Sequence, residues 1–464
     1  MKWQSVLSYL GFVLIALALS MLLPFAASFV FDDGVYIPFL LGAFVSFVIG
    51  LALAKKFRRE HLTLGSAMVL AGSAFIAVSL LGAIAYLDHL PPLDAFFESV
   101  SGFTTTGLTT AKPESLPYSI LFWRSLTQWL GGLGMLAIVV LLLSSPGMSA
   151  YYMYRAEIRT HRVESNVYLL VKRLFTLYAL LTAAGICLFL LAGMPAFDSV
   201  NHALTAISTG GFSTKNASIG YYSNPLIEIV AILLMVAGAT SFFMHGKVFS
   251  RKFGDYARSS ETQLFWALVL IFSLLLSLSF LPSLEPLRTG IFYTFAGLTT
   301  GGLNLGAAGL SELSKFLLII LMVIGGFAGS IAGGLKLVRV GVLGKAMTWV
   351  SKKIFYPSSA VVPFKYNRRT IGDEELTIIS LFSFAYILIL IISSMLLSFM
   401  GYATIDAFFV SASAEGTVGL TTLDIASMNP AGKVILIADM LLGRLEILPF
   451  FVLFFALYSR FKNR

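Results

Sequence analysis

The chain has 464 residues, of which 58% are hydrophobic and only 12% charged, and its 32 lysines and arginines against 23 acids give a net charge of +9. An average soluble domain carries about 25% charge, so a water-facing enzyme, a disordered chain and a collagen-like chain are excluded, and a polytopic membrane protein remains. One cysteine, Cys187, and five histidines without ligand spacing provide neither a disulfide framework nor a thiolate metal site.

Crossing about 30 Å of hydrocarbon takes roughly 20 apolar residues in a helix. In chain order such stretches fall near 5–31, 36–54, 63–88, 117–143, 168–192, 224–247, 262–281, 313–344, 374–400 and 431–458, ten in all. The first is too long for a signal-peptide core and lacks a small-residue cleavage site, so it is expected to stay as a membrane helix. Alternating the sides gathers most of the basic residues on one face. That face holds Lys2, the run Lys55-Lys56-Phe57-Arg58-Arg59 and the basic residues from Arg155 to Arg173, Arg159 and Arg162 among them. It also holds those from Lys247 to Arg258, those from Lys336 to Arg369, and Arg460, Lys462 and Arg464. By the positive-inside tendency this face is cytoplasmic, so both termini are expected inside a cytoplasmic (inner) membrane. The surplus charge reads as a topology signal facing anionic lipid head groups, or as docking ground for a cytoplasmic partner, and not as a nucleic-acid footprint.

Four outer connections are more than loops. Each opens with a semi-apolar segment too short to cross the membrane and the right length for a re-entrant helix. These segments are Leu93–Ser99, Phe197–Ala203, Gly290–Ala296 and Ile405–Ser411, with the first and last near copies of one another. Each runs into a Thr-x-Gly motif: Thr105-Thr106-Gly107-Leu108, Thr209-Gly210-Gly211-Phe212, Thr300-Gly301-Gly302-Leu303 and Thr417-Val418-Gly419-Leu420. The glycines are 104, 91 and 117 residues apart, a fourfold internal repeat of helix, re-entrant helix, glycine-containing strand and helix. The repeat implies an all-α polytopic membrane protein: four tandem helix–pore helix–filter–helix repeats around one pore, plus two extra N-terminal membrane helices.

A lone Thr-x-Gly is a common turn. Four of them between membrane spans are another matter, because non-helical backbone at membrane depth survives only where protein shelters it or where it lines a wet cavity. Glycine permits dihedrals that turn successive carbonyls toward one axis, and threonine adds a hydroxyl oxygen. A ring of four such oxygens replaces the hydration shell of a monovalent cation. Re-entrant helices pointing their partially negative C-terminal ends inward favour a cation further.

The chain resembles the Trk/Ktr/HKT superfamily of potassium transporters, most closely the TrkH/TrkG type of ion-conducting subunit. The likeness rests on the four filters, on Trp123-Arg124 and Gln128-Trp129-Leu130-Gly131-Gly132-Leu133-Gly134, and on Gly210-Gly211-Phe212-Ser213-Thr214 with Ala217–Tyr221. It rests also on Gly325–Lys336 and on Gly443-Arg444-Leu445-Glu446-Ile447. It implies potassium as the transported ion, no covalently bound cofactor, a homodimer and a cytoplasmic nucleotide-binding regulatory subunit. The two helices before repeat one look like the Trk-type addition. In some relatives a serine at the first filter glycine goes with sodium transport, so Gly107 implies potassium selectivity. The extra glycines, Gly210 and Gly301, depart from the simplest pattern.

Between Gly325 and Gly334 eight of ten residues are small: Gly325, Gly326, Ala328, Gly329, Ser330, Ala332, Gly333 and Gly334. A helix-packing face of small residues four apart is one reading. A phosphate loop is excluded, since Walker spacing is absent. A break in the helix is the third, because each glycine costs up to about 1 kcal/mol of helix propensity. The resemblance implies an intramembrane gate under the filter, formed by Gly325, Gly326, Gly329, Ser330, Gly333, Gly334 and Lys336. Arg444 is a charge within a span and by default functional. It reads either as an ion pair with Asp439 or Glu446 or, by resemblance, as a barrier beside the permeation path. Glu98 and Glu415 are expected to anchor filter backbone by hydrogen bonds, and Arg124 and Gln128 to tie repeats together.

The chain divides accordingly into an N-terminal two-helix addition (1–60), pore repeat one (61–146), a cytoplasmic link with repeat two (147–260), repeat three with its intramembrane loop (261–345), and a link, repeat four and the C-terminus (346–464). A carrier of organic solutes built on broken helices is the competing reading, though such carriers show two halves rather than four filters. A membrane enzyme is the third, and no HExxH, G-x-S-x-G or paired intramembrane aspartates support it.

Overall fold

The computed structural model describes residues 3–144, 167–241, 244–246, 253–281, 285–306, 309–357, 362–367 and 369–462. Arg155, Arg159 and Arg162, and the expected boundary between the first two pore repeats, lie outside these residues.

Long apolar runs form the long helices. Among the described residues six helices are long and apolar enough to cross a membrane: Trp3–Phe31, Tyr36–Lys56, Leu64–Tyr86, Val171–Leu191, Ser260–Ser279 and Asp373–Phe399. Helix Tyr118–Ser144 takes the fourth of the expected spans. Their outer faces carry exposed Leu19, Phe44, Leu270 and Leu381, side chains suited to lipid and not to water. The two N-terminal helices meet where neither has a side chain: a Cβ on Gly11 would strike the Gly50 carbonyl, and one on Gly50 would strike that of Gly11. Their turn is tied to repeat one by Asp33, whose Oδ2 accepts from the Ser119 amide at 2.8 Å.

The four re-entrant segments are short helices, as expected: Pro92–Phe103, Ala196–Ile207, Pro286–Leu298 and Thr404–Glu415. Proline opens the first and third and precedes the second, where a missing N–H costs nothing. Beyond each helix the backbone is irregular and forms no strand; among the described residues the only strands are Lys365–Tyr366 and Arg369–Thr370, an antiparallel pair on the link before repeat four.

Three of the ten apolar stretches are interrupted. The sixth carries helix Pro225–Ala239. The eighth divides into Glu312–Ile324 and Leu337–Lys353, with the small-rich segment between them, which realises the break and not the continuous packing face. The tenth, read from sequence as one continuous span, bends by 106° between Pro430–Arg444 and Leu448–Ser459. The bend falls where Glu446 and Ile447 both take positive φ. Gly443 and Pro449 flank the bend, local helix breakers that the reading of one continuous span passed over.

Two buried apolar clusters sit around the pore helices. One joins Phe189, Ile207, Phe265, Phe292, Leu321 and Phe409, from repeats two, three and four. The other joins Leu14 and Phe39 of the N-terminal pair with Phe97, Trp123, Val410 and Met440, from repeats one and four. The repeats therefore share these two clusters with their neighbours.

Candidate functional site

Each pore helix ends in the same way. The amides of Thr106, Gly210, Gly301 and Val418 reach back to the carbonyls of Ser101, Thr205, Ala296 and Ser413 at 2.8 to 3.0 Å. The residue before each, Thr105, Thr209, Thr300 or Thr417, bonds three residues back and sits in the left-handed region at φ 53, 51, 53 and 49°. This is the Schellman termination, which usually places glycine at that position. A β-branched residue there costs about 1–2 kcal/mol, and the strain is repeated at all four sites. Strain of this kind persists where function needs the side chain, and what threonine adds here is a hydroxyl at the C-terminal end of a helix.

Two residues on, Gly107, Gly211, Gly302 and Gly419 also have positive φ, at 93, 82, 64 and 99°. Their positions close a ring. A Cβ on Gly107 would collide with the carbonyl of Gly210, one on Gly302 with that of Val418, and one on Gly419 with that of Thr106, while one on Gly211 would press on that of Gly301. Each filter thus lies against the next in the order one, two, three, four, one. The middle residues Thr106, Gly210, Gly301 and Val418 supply one carbonyl each to a common layer. The extra glycines of repeats two and three leave this geometry unchanged, since their neighbours follow the same dihedral pattern as those of Thr106 and Val418. All four filter glycines line one cavity of ≈ 490 Å³, whose wall also holds Thr109, Lys215, Lys315 and Asp406.

Polar contacts fasten every seam of the ring. Between repeats one and two, Gln128 Nε2 donates to the Gly210 carbonyl at 2.6 Å while its Oε1 accepts from the Phe212 amide at 3.1 Å. Beside it Arg124 bridges Glu98 (2.6 Å) and the Ser213 carbonyl (3.1 Å). Arg288 pairs with Glu228 between two and three, Lys315 with Asp406 at 2.9 Å between three and four, and Lys433 with Asp94 at 2.6 Å between four and one. Glu98 accepts further from Thr109 Oγ1 and the Thr110 amide, so it anchors backbone just past the first filter, as expected. Glu415 does not: both of its carboxylate oxygens are buried with no hydrogen-bond partner. The filter amides that it was expected to hold are bonded instead to the Ser413 carbonyl and hydroxyl.

The hydroxyls of Thr105, Thr209 and Thr417 are buried without a partner, whereas that of Thr300 accepts from the Gly333 amide at 2.8 Å. The small-rich segment therefore lies against the threonine layer. A Cβ on Gly333 would run into the Gly416 carbonyl and the Thr417 hydroxyl, so the segment touches repeats three and four together. Its base is closed by Leu335 N to Val323 O and Lys336 N to Ile324 O, each 2.9 Å, with Gly325 and Gly334 back to back. Gly325, Gly329, Gly334 and Lys336 all take positive φ, which no helix allows. Phe327 N and Ile331 N donate to the carbonyls of Ala239 and Gly238 at 3.1 and 3.3 Å. Ser330 Oγ turns back to the Phe327 carbonyl, and Gly326 packs against Ala332.

Arg444, 2% exposed, reaches the same segment. Its Nη1 donates to the Ile331 carbonyl at 2.7 Å and its Nη2 to the Gly131 carbonyl at 3.0 Å. The ion-pair reading fails, because Asp439 bonds Ser393 and Glu446 pairs with Arg339. Lys336, also 2% exposed, bonds the Ala332 carbonyl within the segment.

Sequence reasoning missed three supports. Ser101 Oγ and Ser413 Oγ accept from the amides of Gly107 and Gly419, each at 3.0 Å, and the shared spacing of six residues was a legible signal. Glu261 Oε1 accepts from the Ala328 amide at 3.2 Å; no local pattern marks it, since the partners are far apart in sequence.

Four repeats around one ring of oxygens, in a molecule with lipid-facing outer helices, define an integral membrane transport protein. A family profile described as TrkH, cation transport protein, matches residues 39–282 and 276–462. An uncharacterized cation transporter of Methanocaldococcus jannaschii is 32% identical over 464 residues, covering 98% of this chain and 96% of its own. The Trk system potassium uptake protein TrkH of Salmonella typhimurium is 33% identical over 483 residues, covering 98% and 99%. The crystal structure of the potassium transporter TrkH from Vibrio parahaemolyticus matches with a TM-score of 0.87 at 27% identity, over 98% of each chain. The chain belongs to the TrkH family of cation transport proteins. The relatives are named as transporters and not as enzymes.

Proposed function

We propose that this protein takes up potassium across the cytoplasmic membrane through the ring formed by Thr105–Gly107, Thr209–Gly211, Thr300–Gly302 and Thr417–Gly419. The observation that carries the reading is the closed cycle of contacts, in which each filter glycine lies against a carbonyl of the next repeat. Such a layer offers four oxygens at a spacing held by protein contacts, as replacement of a cation's hydration shell requires. The names of the Trk relatives support potassium as the ion. Among the described residues no group of three or more His, Cys, Asp or Glu side chains is available to hold a metal, so the cation's ligands in this reading are carbonyls and hydroxyls. Radiolabelled potassium uptake by the purified protein in liposomes tests it, with sodium and an organic solute as competitors; inhibition by the solute and not by sodium would favour a carrier instead.

The segment Gly325–Gly334 with Lys336 and Arg444 is the gate in this reading. Its support is contact with the Thr300 hydroxyl and the lack of regular helix. Control by a cytoplasmic nucleotide-binding subunit, a homodimeric assembly, the five-part division of the chain and cytoplasmic termini belong to the same proposal, the last supported by the one-sided basic loops. Cross-linking in native membranes tests the dimer, and accessibility of cysteines placed at each terminus tests the orientation.

A further inference from the structure

The cavity of ≈ 490 Å³ that the four filter glycines line takes its wall from residues beyond those glycines, Thr109, Ser213, Asn304 and Thr421 among them. The small-rich segment meets the filter at its threonines instead, so the cavity is the mouth of the ring on the side away from that segment. Four residues past the filter glycine the repeats carry Ala111, Lys215, Gly306 and Leu423, and repeat two alone places a charge there. The backbone of Lys215 is fixed on both sides. Its amide donates to Ser213 Oγ at 3.0 Å, itself bonded to the buried His202 at 2.9 Å, and its carbonyl accepts from the Ser218 amide at 3.0 Å. Its side chain is partly buried, with Nζ 4.9 Å from the ring centre of Tyr221.

For a cation pathway a positive wall is unexpected. The charged residues that line the mouth are Arg124, Lys215, Lys315 and Asp406. Arg124 is neutralised by Glu98 at 2.6 Å, and Lys315 by Asp406 at 2.9 Å and Glu312 at 3.1 Å. The exposed Glu114 accepts from the Asn216 amide at 2.6 Å, and the buried Asp198 accepts from Thr214 Oγ1 at 2.7 Å. Lys215 makes no ion pair among the described residues. The ring of Tyr221 attracts its ammonium without cancelling the charge. A positive potential at the mouth lowers the local concentration of cations exponentially in their charge, so a wall that holds back a monovalent cation about threefold holds back a divalent one about ninefold. The carbonyl ring has the opposite bias, since it attracts a doubly charged ion more strongly, and an ion held too tightly does not leave.

We propose that Lys215 is a specificity-determining residue of the mouth, whose fixed positive charge keeps divalent cations from the filter while monovalent cations still pass. The proposal rests on the reading of the chain as a potassium pathway. The action is electrostatic, so it weakens with salt as the screening length shortens from about 10 Å at 0.1 M to about 3 Å at 1 M. The ring partner of the ammonium is Tyr221, outside the filter, so a neutral side chain at position 215 leaves the contacts of the carbonyl ring in place.

The test records potassium flux through the full protein in planar bilayers at sub-saturating potassium, with barium added to one side and then to the other. Lys215→Arg, Lys215→Met and Lys215→Glu are compared with the parent. Melting temperatures of the same proteins in detergent, titrated with barium or potassium, read cation binding without conduction. At low ionic strength the barium concentration that halves the flux is expected to fall about ninefold in Lys215→Met, against a rise of about threefold in potassium flux. Lys215→Glu should be blocked at lower barium still, and Lys215→Arg should behave as the parent. An impermeant salt at about 1 M should bring the variants together. Equal barium block in all four proteins, from both sides, would overturn the proposal. A defect that Lys215→Arg shares with Lys215→Met would also overturn it, since the lysine would then shape the loop and not the field. A parent that carries no potassium, while barium stabilises Lys215→Met at about ninefold lower concentration than the parent, would overturn the potassium reading and leave the charge barrier standing.

Discussion

The amide of Gly333 donates to the hydroxyl of Thr300 across 2.8 Å, and through this one bond the interrupted helix of repeat three closes on the filter of its own repeat. The same bond removes one of four equivalent threonine hydroxyls from the ring, leaving three without a protein partner. In the proposed reading a cation at the threonine layer would share the Thr300 oxygen with the Gly333 amide.

Loosening the segment should therefore raise flux. Arg444→Ala removes two charge-assisted hydrogen bonds, to Ile331 O and Gly131 O, each about 1.5–3 kcal/mol. It also removes a buried positive charge beside the segment. Potassium uptake in proteoliposomes at matched protein amounts should rise by about tenfold, the equivalent of about 1.4 kcal/mol. Deletion of Gly329 to Gly333 should do the same. A deletion variant that elutes as folded protein on gel filtration yet conducts no faster than the parent would rule out the gate.

Filter glycines should tolerate no side chain. Gly107→Ser places a Cβ against the Gly210 carbonyl at a φ of +93°, and Gly302→Ser does the same against Val418. Left-handed strain alone costs about 1–2 kcal/mol, so potassium-over-sodium discrimination should fall about tenfold. Reversal potentials in mixed salts measure the ratio, and an unchanged ratio in both variants would contradict the ring.

Gln128→Ala should act on the second filter without touching its sequence. It leaves the Gly210 carbonyl and the Phe212 amide without their buried partner, a loss of about 1–3 kcal/mol. Selectivity should weaken as the carbonyl is freed, and Gln128→Glu, which keeps the acceptor for Phe212 and loses the donor to Gly210, should show the selectivity defect alone. Equal selectivity in parent and both variants would make Gln128 a packing residue.

Asp33 gives a pH-dependent prediction at the outer turn. Partial burial opposes its charge, but hydrogen bonds from Ser28, Ser119 and Val35 outweigh it and hold the carboxyl below its ordinary value. A lowered value means that the stabilisation is present at neutral pH and is lost as pH falls through it. Asp33→Ala should be less stable than the parent by about 1 kcal/mol at pH 7, after allowing for solvent screening, and the difference should shrink below about pH 4. Thermal unfolding in detergent at both pH values checks it; a constant difference would mean that the bonds do not depend on charge.

The sequence alone determined the membrane class, the pore helices and the fourfold repeat, because each is written in local signals: runs of apolar residues, short segments between them, and threonine two places before glycine. It also exposed the break at Gly325–Gly334, since glycine lowers helix propensity wherever it stands. The tertiary structure decided the rest. That Gly107 meets Gly210, or that Arg444 holds Ile331 and Gly131 instead of Asp439 or Glu446, depends on which chain segments become neighbours after the ring closes. The bend at Glu446–Ile447 is partly of this kind: Gly443 and Pro449 flank it in the sequence, but only the folded chain shows two successive residues at positive φ. Glu415 is the clearest case: its position beside a filter suggested an anchor, and only the folded chain shows both of its carboxylate oxygens buried without a partner.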